Sequence, residues 1–315
     1  MNMISPKLDK NVALVVGPTA SGKSALALEI AKKQPSVIIN ADSAQVYSDL
    51  QVLSARPSTA EMNETEHRLF GYIDGSESCS AARWARDAKA AIADAHDRDL
   101  LPILVGGTGM YVRILLDGIA PIPEIDPGIR QSIRKMETLE AYQTLQNCDP
   151  VSAKRLNSTD TTRVKRALEV IESTGQPLDH WQKRKVGGIA DDIRLHPLVM
   201  LPPREWLYQR CDLRLHQMID GGAREEVEAL LARDLPANRP VMRAIGVAEI
   251  AGWLTGDLSR EVAVERAQTA TRRYAKRQYT WFRNQGPPSW PRFDAPLNND
   301  IDRIIENILH DHPLT

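Results

Sequence analysis

The stretch VALVVGPTASGKSALALEI, residues 12–30, restricts the possible folds of this chain more than any other. Its apolar start reads as a buried strand over 12–16, and SALALEIAKK (24–33) reads as a helix. Between them, Gly17-Pro18-Thr19-Ala20-Ser21-Gly22-Lys23-Ser24 fits the pattern G-x-x-x-x-G-K-[ST] in full. Glycines at these positions let consecutive backbone N–H groups turn inward around a polyphosphate. Lys23 then neutralises the terminal phosphates, and the Ser24 hydroxyl can ligate Mg²⁺. The following helix presents its positive N-terminal end to the same point. Glycine makes up about 7% of average sequences, so a chance match in the required strand–loop–helix context is rare. A phosphorylated compound binds here, and the loop by itself leaves open which one and whether it breaks at phosphorus.

The flanking pattern extends this start into an α/β fold. SVIINA (36–41) and LPILVGG (101–107) read as further short apolar strands, while WARDAKAAIADAHDRD (84–99) and MYVRILLDG (110–118) read as helices. Short apolar strands separated by helices predict a parallel sheet covered on both faces, a P-loop NTPase-like core. APIPEIDPG (120–128) carries three prolines and marks a boundary. Residues 129–185 show only helical patterning, including RVKRALEVIESTG (163–175), before IRLHPLVMLPP (193–203) returns as a strand. The expected organisation is therefore a first core segment at 1–120, a helical insertion at 121–192, a returning core segment at 193–286 and a tail at 287–315. Residues 204–285 read as helical with breaks at Gly221-Gly222 and near Gly256. Ile301, Ile304, Ile305 and Ile308 give the tail an amphipathic closing helix.

Other chemistry is sparser. No apolar run is long enough to span a membrane and MNMISPKLDKN lacks a signal-peptide core, so a cytoplasmic protein is expected. The scattered Cys79, Cys148 and Cys211 form no metal-ligand spacing and fit a reducing compartment. A usual ATPase would offer an acid at the end of an apolar strand to hold magnesium, but LPILVGGTG ends in glycines and Thr108. The best-placed acid is Asp42, at the end of the second strand in IINADSAQVY. Substrates bind at such strand ends beside a phosphate loop, although Asp-x-x-Gln equally resembles a helix-capping box. With 40 basic against 41 acidic residues, a nucleic-acid surface must come from clustering. RAQTATRRYAKRQYTWFR (266–283) supplies a cluster: six basic residues, no acidic one, and Tyr274, Tyr279, Trp281 and Phe282 interleaved. Such a helix suits RNA phosphates and unstacked bases, or else its aromatics are core. Arg210 and Arg214, spaced i, i+4, share a helix face and can clamp an anion.

Over residues 11–286 the chain resembles the tRNA dimethylallyltransferases, which prenylate adenine 37 beside the anticodon. The resemblance rests on GPTASGKS, ADSAQVY, LPILVGGTGMYV, PIPEIDPGIR, TTRVKRALEVIESTG, HPLVMLPPR, RCDLRLHQMIDGGAREEVEAL, MRAIGVAEI and YAKRQYTWFR, in that order. It implies that the loop holds the diphosphate of dimethylallyl diphosphate, with Gly17, Thr19, Ala20, Ser21, Gly22, Lys23 and Ser24 as its binding residues and Mg²⁺ at Ser24. It implies Asp42 as the general base and Arg214 and Thr19 as its catalytic partners at the diphosphate. Asp42, Ser43, Ala44, Gln45, Thr108, Arg130, Thr162, Arg163, Arg166, Arg243 and Gly246 match positions that contact the tRNA anticodon stem-loop in relatives. The implied partners are that tRNA and the allylic donor, with no membrane or DNA, and a monomer is expected. Departures from the pattern lie at Asp49 and Leu53, where glycines are usual, at Arg56 for lysine, at Cys79 for an aromatic and at Thr162 for glutamine. Competing activities are prenylation of free AMP and a P-loop nucleotide-dependent kinase.

Overall fold

The computed structural model describes residues 10–297 and 301–310. The N-terminal MNMISPKLD, read above for a targeting signal, lies outside them. Six strands form one parallel sheet: β1 (Asn11–Val16), β2 (Ser36–Asn40), β3 (Glu66–Arg68), β4 (Leu101–Gly106), β5 (Arg194–Met200) and β6 (Arg292–Phe293). They lie in the order β3-β2-β4-β1-β5-β6. From β1 the chain runs to one side of the sheet, through β2 and β3, and β4 then returns beside it; β5 and β6 lie on the other side. The order thus reverses at β1, and the C-terminal ends of β1 and β4 frame the crevice where ligands bind in such sheets. Val12, Leu14, Val15, Val16, Ile39, Ile103 and Leu104 are fully buried in these strands. This explains why they read as unbroken apolar runs rather than alternating ones.

Helices cover the sheet. In chain order they begin with α1 (Lys23–Lys33), the short α2 (Thr59–Glu64), α3 (Ala81–Asp97) and α4 (Gly109–Asp117). Leu26, Ala27 and Ile30 of α1 pack on Val15, Ile103 and Met200. Trp84 of α3 is fully buried, stacks on Tyr111 of α4 at 4.6 Å, and donates its indole N–H to Asn40 O at 2.8 Å. Burying side chains of this kind contributes roughly 1.5–3 kcal/mol each.

Leu116–Ile189 forms one compact unit, and the described residues on either side of it form the other. The smaller unit contains α5 (Pro127–Lys135), α6 (Thr138–Cys148), α7 (Pro150–Arg155), α8 (Thr161–Thr174) and α9 (Leu178–Gln182). Its own core joins Ile133, Ala141, Leu145, Val164 and Leu168. The short helices are delimited locally. Asp126 and Asp149 cap α5 and α7 ahead of Pro127 and Pro150, Asp160 caps α8, and Gly175 closes α8 in the left-handed conformation. Each side-chain cap contributes about 1 kcal/mol.

The remaining helices belong to the larger unit: α10 (Arg204–Met218), α11 (Arg224–Leu231), α12 (Val247–Leu254), α13 (Arg260–Gln285) and α14 (Ile301–His310). α10 and α11 are joined through a wide turn over Ile219–Ala223 whose Gly222 has φ 105°. α14 returns to α1, with Ile304 and Ile305 buried; the side chain of Ile308, the last of the expected stripe, lies outside the described residues. Among the described residues no helix is long and apolar enough to cross a membrane.

Candidate active site

The phosphate loop opens α1 as its pattern predicts. Gly22 is the N-cap with φ 97°, a left-handed value that side chains rarely adopt. Thr19, Lys23 and Ser24 border a cavity of about 650 Å³ that also meets Asp42, Gln45 and Arg214. Every residue bordering this cavity belongs to the larger unit.

Lys23 is only 9% exposed, and its Nζ donates to Pro18 O at 2.6 Å. Burial pulls its pKa down to about 8, against the opposing pull of the Asp42 carboxylate. Arg214 reaches the loop from α10 and donates to Thr19 Oγ1. Burial lowers its pKa too, but a guanidinium keeps its proton. Its helix neighbour Arg210 lies over the Trp206 ring, 5.0 Å from the centroid, so only one of the pair reaches Thr19. Lys23 and Arg214 thus border, with the phosphate loop, a space that meets one carboxylate, Asp42.

That carboxylate sits in a rigid turn. Asp42 Oδ1 accepts from Ala44 N at 2.9 Å. Asn40, fully buried, accepts the Asp42 N–H and donates to Asp42 O and Leu69 O. No helix begins at Asp42, and the Gln45 side chain points to Ser54 O and Ala55 O, so the capping-box reading is not what folds here. Ser43 N and Ser43 Oγ both bond Thr108 Oγ1, at 2.9 and 3.1 Å, which joins the ends of β2 and β4.

The other expected residues divide by unit. Gly17, Ala20 and Ser21 complete the loop, Ser21 being almost fully buried. Ala44 and Arg243 border the cavity, and Gly246 caps α12 beside Leu53. Arg130, Thr162, Arg163 and Arg166 lie in the smaller unit. Thr162 and Arg163 are exposed, and Arg166 is 3.5 Å from Glu169.

For most aromatics of the basic α13 the second of the two readings, packing, holds: Phe282 is fully buried, Trp281 packs on Gly109, and the Tyr279 hydroxyl meets Leu201 O at 3.4 Å. Only Tyr274 borders the cavity; it hydrogen-bonds Thr108, and the negative charge of Asp42 pushes its pKa up. The helix also holds a site residue that sequence reasoning missed. Gln278, 5% exposed, accepts Thr19 N–H at 2.7 Å and donates to Gly107 O at 2.9 Å, bracing the phosphate loop against the end of β4. A Cβ on Gly107 would lie 2.1 Å from the Gln278 amide, so Gly is needed there. The available signal was Gln278 standing on the stripe of Ala275 and Phe282, where an apolar residue is the norm.

A parallel sheet whose phosphate loop shares a cavity with a fixed acid and a buried arginine has the architecture of the P-loop class. Residues 45–285 match the IPP transferase family. The chain is 57% identical to the tRNA dimethylallyltransferase of Sphingopyxis alaskensis over 298 residues, covering 94% of this chain and 96% of that one. It is 56% identical to that of Erythrobacter litoralis over 303 residues, covering 94% and 96%. Among solved structures it superposes on a eukaryotic dimethylallyltransferase captured acting on tRNA (TM-score 0.82, 28% identity, 97% of this chain and 81% of that one). It also superposes on the tRNA isopentenylpyrophosphate transferase of Bacillus halodurans (TM-score 0.68, 31% identity, 95% and 96%). The chain belongs to the IPP transferase family and is a transferase.

Proposed function

We propose that this protein transfers the dimethylallyl group of dimethylallyl diphosphate to N6 of adenine 37 in tRNAs reading codons that begin with U. Family membership supports the reaction. The observation that carries it to these residues is the shared cavity, with Asp42 facing a loop built for phosphate. The N6 amine attacks the allylic carbon, the C–O bond breaks, and diphosphate leaves with the bonding electrons. Charge develops on the departing oxygen, which preorganised donors stabilise most effectively. The loop amides, Lys23 and Arg214 are those donors, and Thr19 holds Arg214 in place. Asp42 takes the proton from the amine.

Mg²⁺ fits this site through oxygen. Among the described residues no cluster of three carboxylates, imidazoles or thiols forms a protein cage. An ion that keeps waters and binds substrate phosphates with one protein hydroxyl matches Ser24, which borders the cavity. When bound, it would neutralise diphosphate charge.

The acceptor base must leave its stack to reach Asp42. Ser43, Ala44, Gln45, Thr108, Arg243 and Gly246 would meet it in the larger unit, with Arg130, Thr162, Arg163 and Arg166 of the smaller unit on the stem-loop. The reading takes the protein as a monomer acting in the cytoplasm. The test is transfer of labelled dimethylallyl to a tRNA carrying A36, A37 and A38, with AMP as control. Transfer to AMP but not to tRNA would replace this reading with adenylate prenylation, and phosphate release from ATP on adding acceptor would replace it with a kinase.

Donor binding should depend on pH through Lys23. With its pKa lowered to about 8, Lys23 loses its charge in the donor-free protein as pH rises through that value. Bound diphosphate favours the charged form, so donor affinity should fall by up to about tenfold per pH unit above 8. Titration calorimetry from pH 7 to 9.5 measures this, with Lys23→Met as the flat control. An equally flat wild-type profile would refute it.

A further inference from the structure

The loop that departs from the family pattern, residues 49–57, is held by α11. The Glu226 carboxylate accepts three consecutive backbone N–H groups: those of Gln51, Val52 at 2.9 Å and Leu53 at 2.9 Å. Two residues past the end of α11, Arg233 pairs with Asp49 and with Asp74 at 2.9 Å. The Asp49 side chain, 3% exposed, also accepts Gly75 N–H at 2.8 Å. The unusual aspartate is therefore an anchor.

The consequence lies at the next turn of the loop. The carbonyls of Ser54 and Ala55 both accept from Gln45 Nε2, at 2.9 and 2.8 Å. A carboxamide carries both of its hydrogens on nitrogen, and a carbonyl cannot face another carbonyl. With both hydrogens committed to the loop, only Oε1 of Gln45 is left for a ligand, and Gln45 borders the cavity beside Asp42. An oxygen acceptor there attracts an exocyclic amine and repels an exocyclic carbonyl.

We infer that Glu226 is a positioning residue for base selection: through residues 51–55 it fixes Gln45 with Oε1 available to the acceptor, so that the site takes a purine with a 6-amino group and rejects a 6-oxo purine. The inference rests on the reading that a tRNA purine enters this cavity. Gln45 is the residue that touches the base, and Glu226 acts on it at a distance through the loop backbone.

The experiment compares binding of anticodon stem-loops carrying adenosine or inosine at position 37, in the absence of donor. The wild-type protein should prefer adenosine roughly tenfold or more, the discrimination expected of a good base contact. Gln45→Leu removes Oε1 and sets the size of its share of the preference, the Asp42 carboxylate supplying the rest. Glu226→Gln should abolish most of that share, with donor affinity unchanged within about twofold, and should add little on top of Gln45→Leu because the two act in series. Arg233→Met should shift the preference in the same direction by less. The inference is overturned if Glu226→Gln keeps the wild-type preference, if its effect adds in full to that of Gln45→Leu, or if donor affinity falls in parallel. If the wild-type protein prenylates tRNA but binds both stem-loops equally, the inference fails and the functional reading stands. If it transfers nothing to tRNA, both fail.

Discussion

Asp42→Asn is expected to lower the rate of prenyl transfer by about 10²–10⁴-fold, the range for losing a general base, while leaving donor affinity unchanged or slightly tighter. Asparagine keeps the fold of the turn: it still offers an Oδ1 to Ala44 N, and the Asn40 contacts are made by the backbone of residue 42. What it removes is a proton acceptor and a negative charge that acts on Lys23 and Arg214. Losing that charge removes its repulsion of diphosphate but also the pull that keeps Lys23 protonated, so donor binding should not weaken when it is measured well below pH 8. Single-turnover transfer measured beside donor binding separates the two effects. Normal turnover by Asp42→Asn would assign the proton to another group, and Tyr274 would be next to examine. A parallel loss of donor affinity would instead make Asp42 a ligand to a donor-bound metal.

The phosphate loop was legible because its chemistry is contiguous: eight consecutive residues, Gly17 to Ser24, carry their own backbone geometry. β1, β2 and β4 were legible because burial on both faces leaves unbroken apolar runs, whereas β5 is apolar and buried only over residues 198–200. β3 (EHR) and β6 (RF) carry no such signal, being short, polar and located at the sheet edges, where only pairing with a neighbour defines them. The same limit applies in the site. Asp42 could be singled out from its place at a strand end, but its choice between base and helix cap depended on whether a helix followed. Gln278 bonds Thr19 across 259 positions of sequence, and Glu226 bonds residues 51–53 across more than 170. Such contacts leave only a misplaced polar residue as their trace. The aromatics of α13 left two readings open, base contact or core, and for Phe282 the core reading holds.

Lys23→Met should separate stability from function with opposite signs. A lysine whose pKa falls on folding destabilises the folded state fully below its folded value, here about 8, and the penalty fades as pH rises toward the ordinary value. At neutral pH the cost to the donor-free protein is on the order of 3 kcal/mol, offset in part by the Nζ bond to Pro18 O. Methionine fills the same space without charge, so donor-free Lys23→Met should melt higher than wild type. The donor should then bind roughly ten- to a hundredfold more weakly, since a charged hydrogen bond contributes about 1.5–3 kcal/mol. Transfer should slow by a further ~10²–10³-fold, because the lost donor faces the oxygen on which charge develops. Lys23→Arg should not restore activity: a planar guanidinium cannot replace the compact ammonium that donates to Pro18 O and faces the phosphate site as a point charge. Thermal melts with and without donor decide the matter, wild type gaining stability on donor addition and Lys23→Met gaining little. A variant that melted lower and bound donor normally would make Lys23 a structural lysine, with the diphosphate held by the loop amides and Arg214 alone.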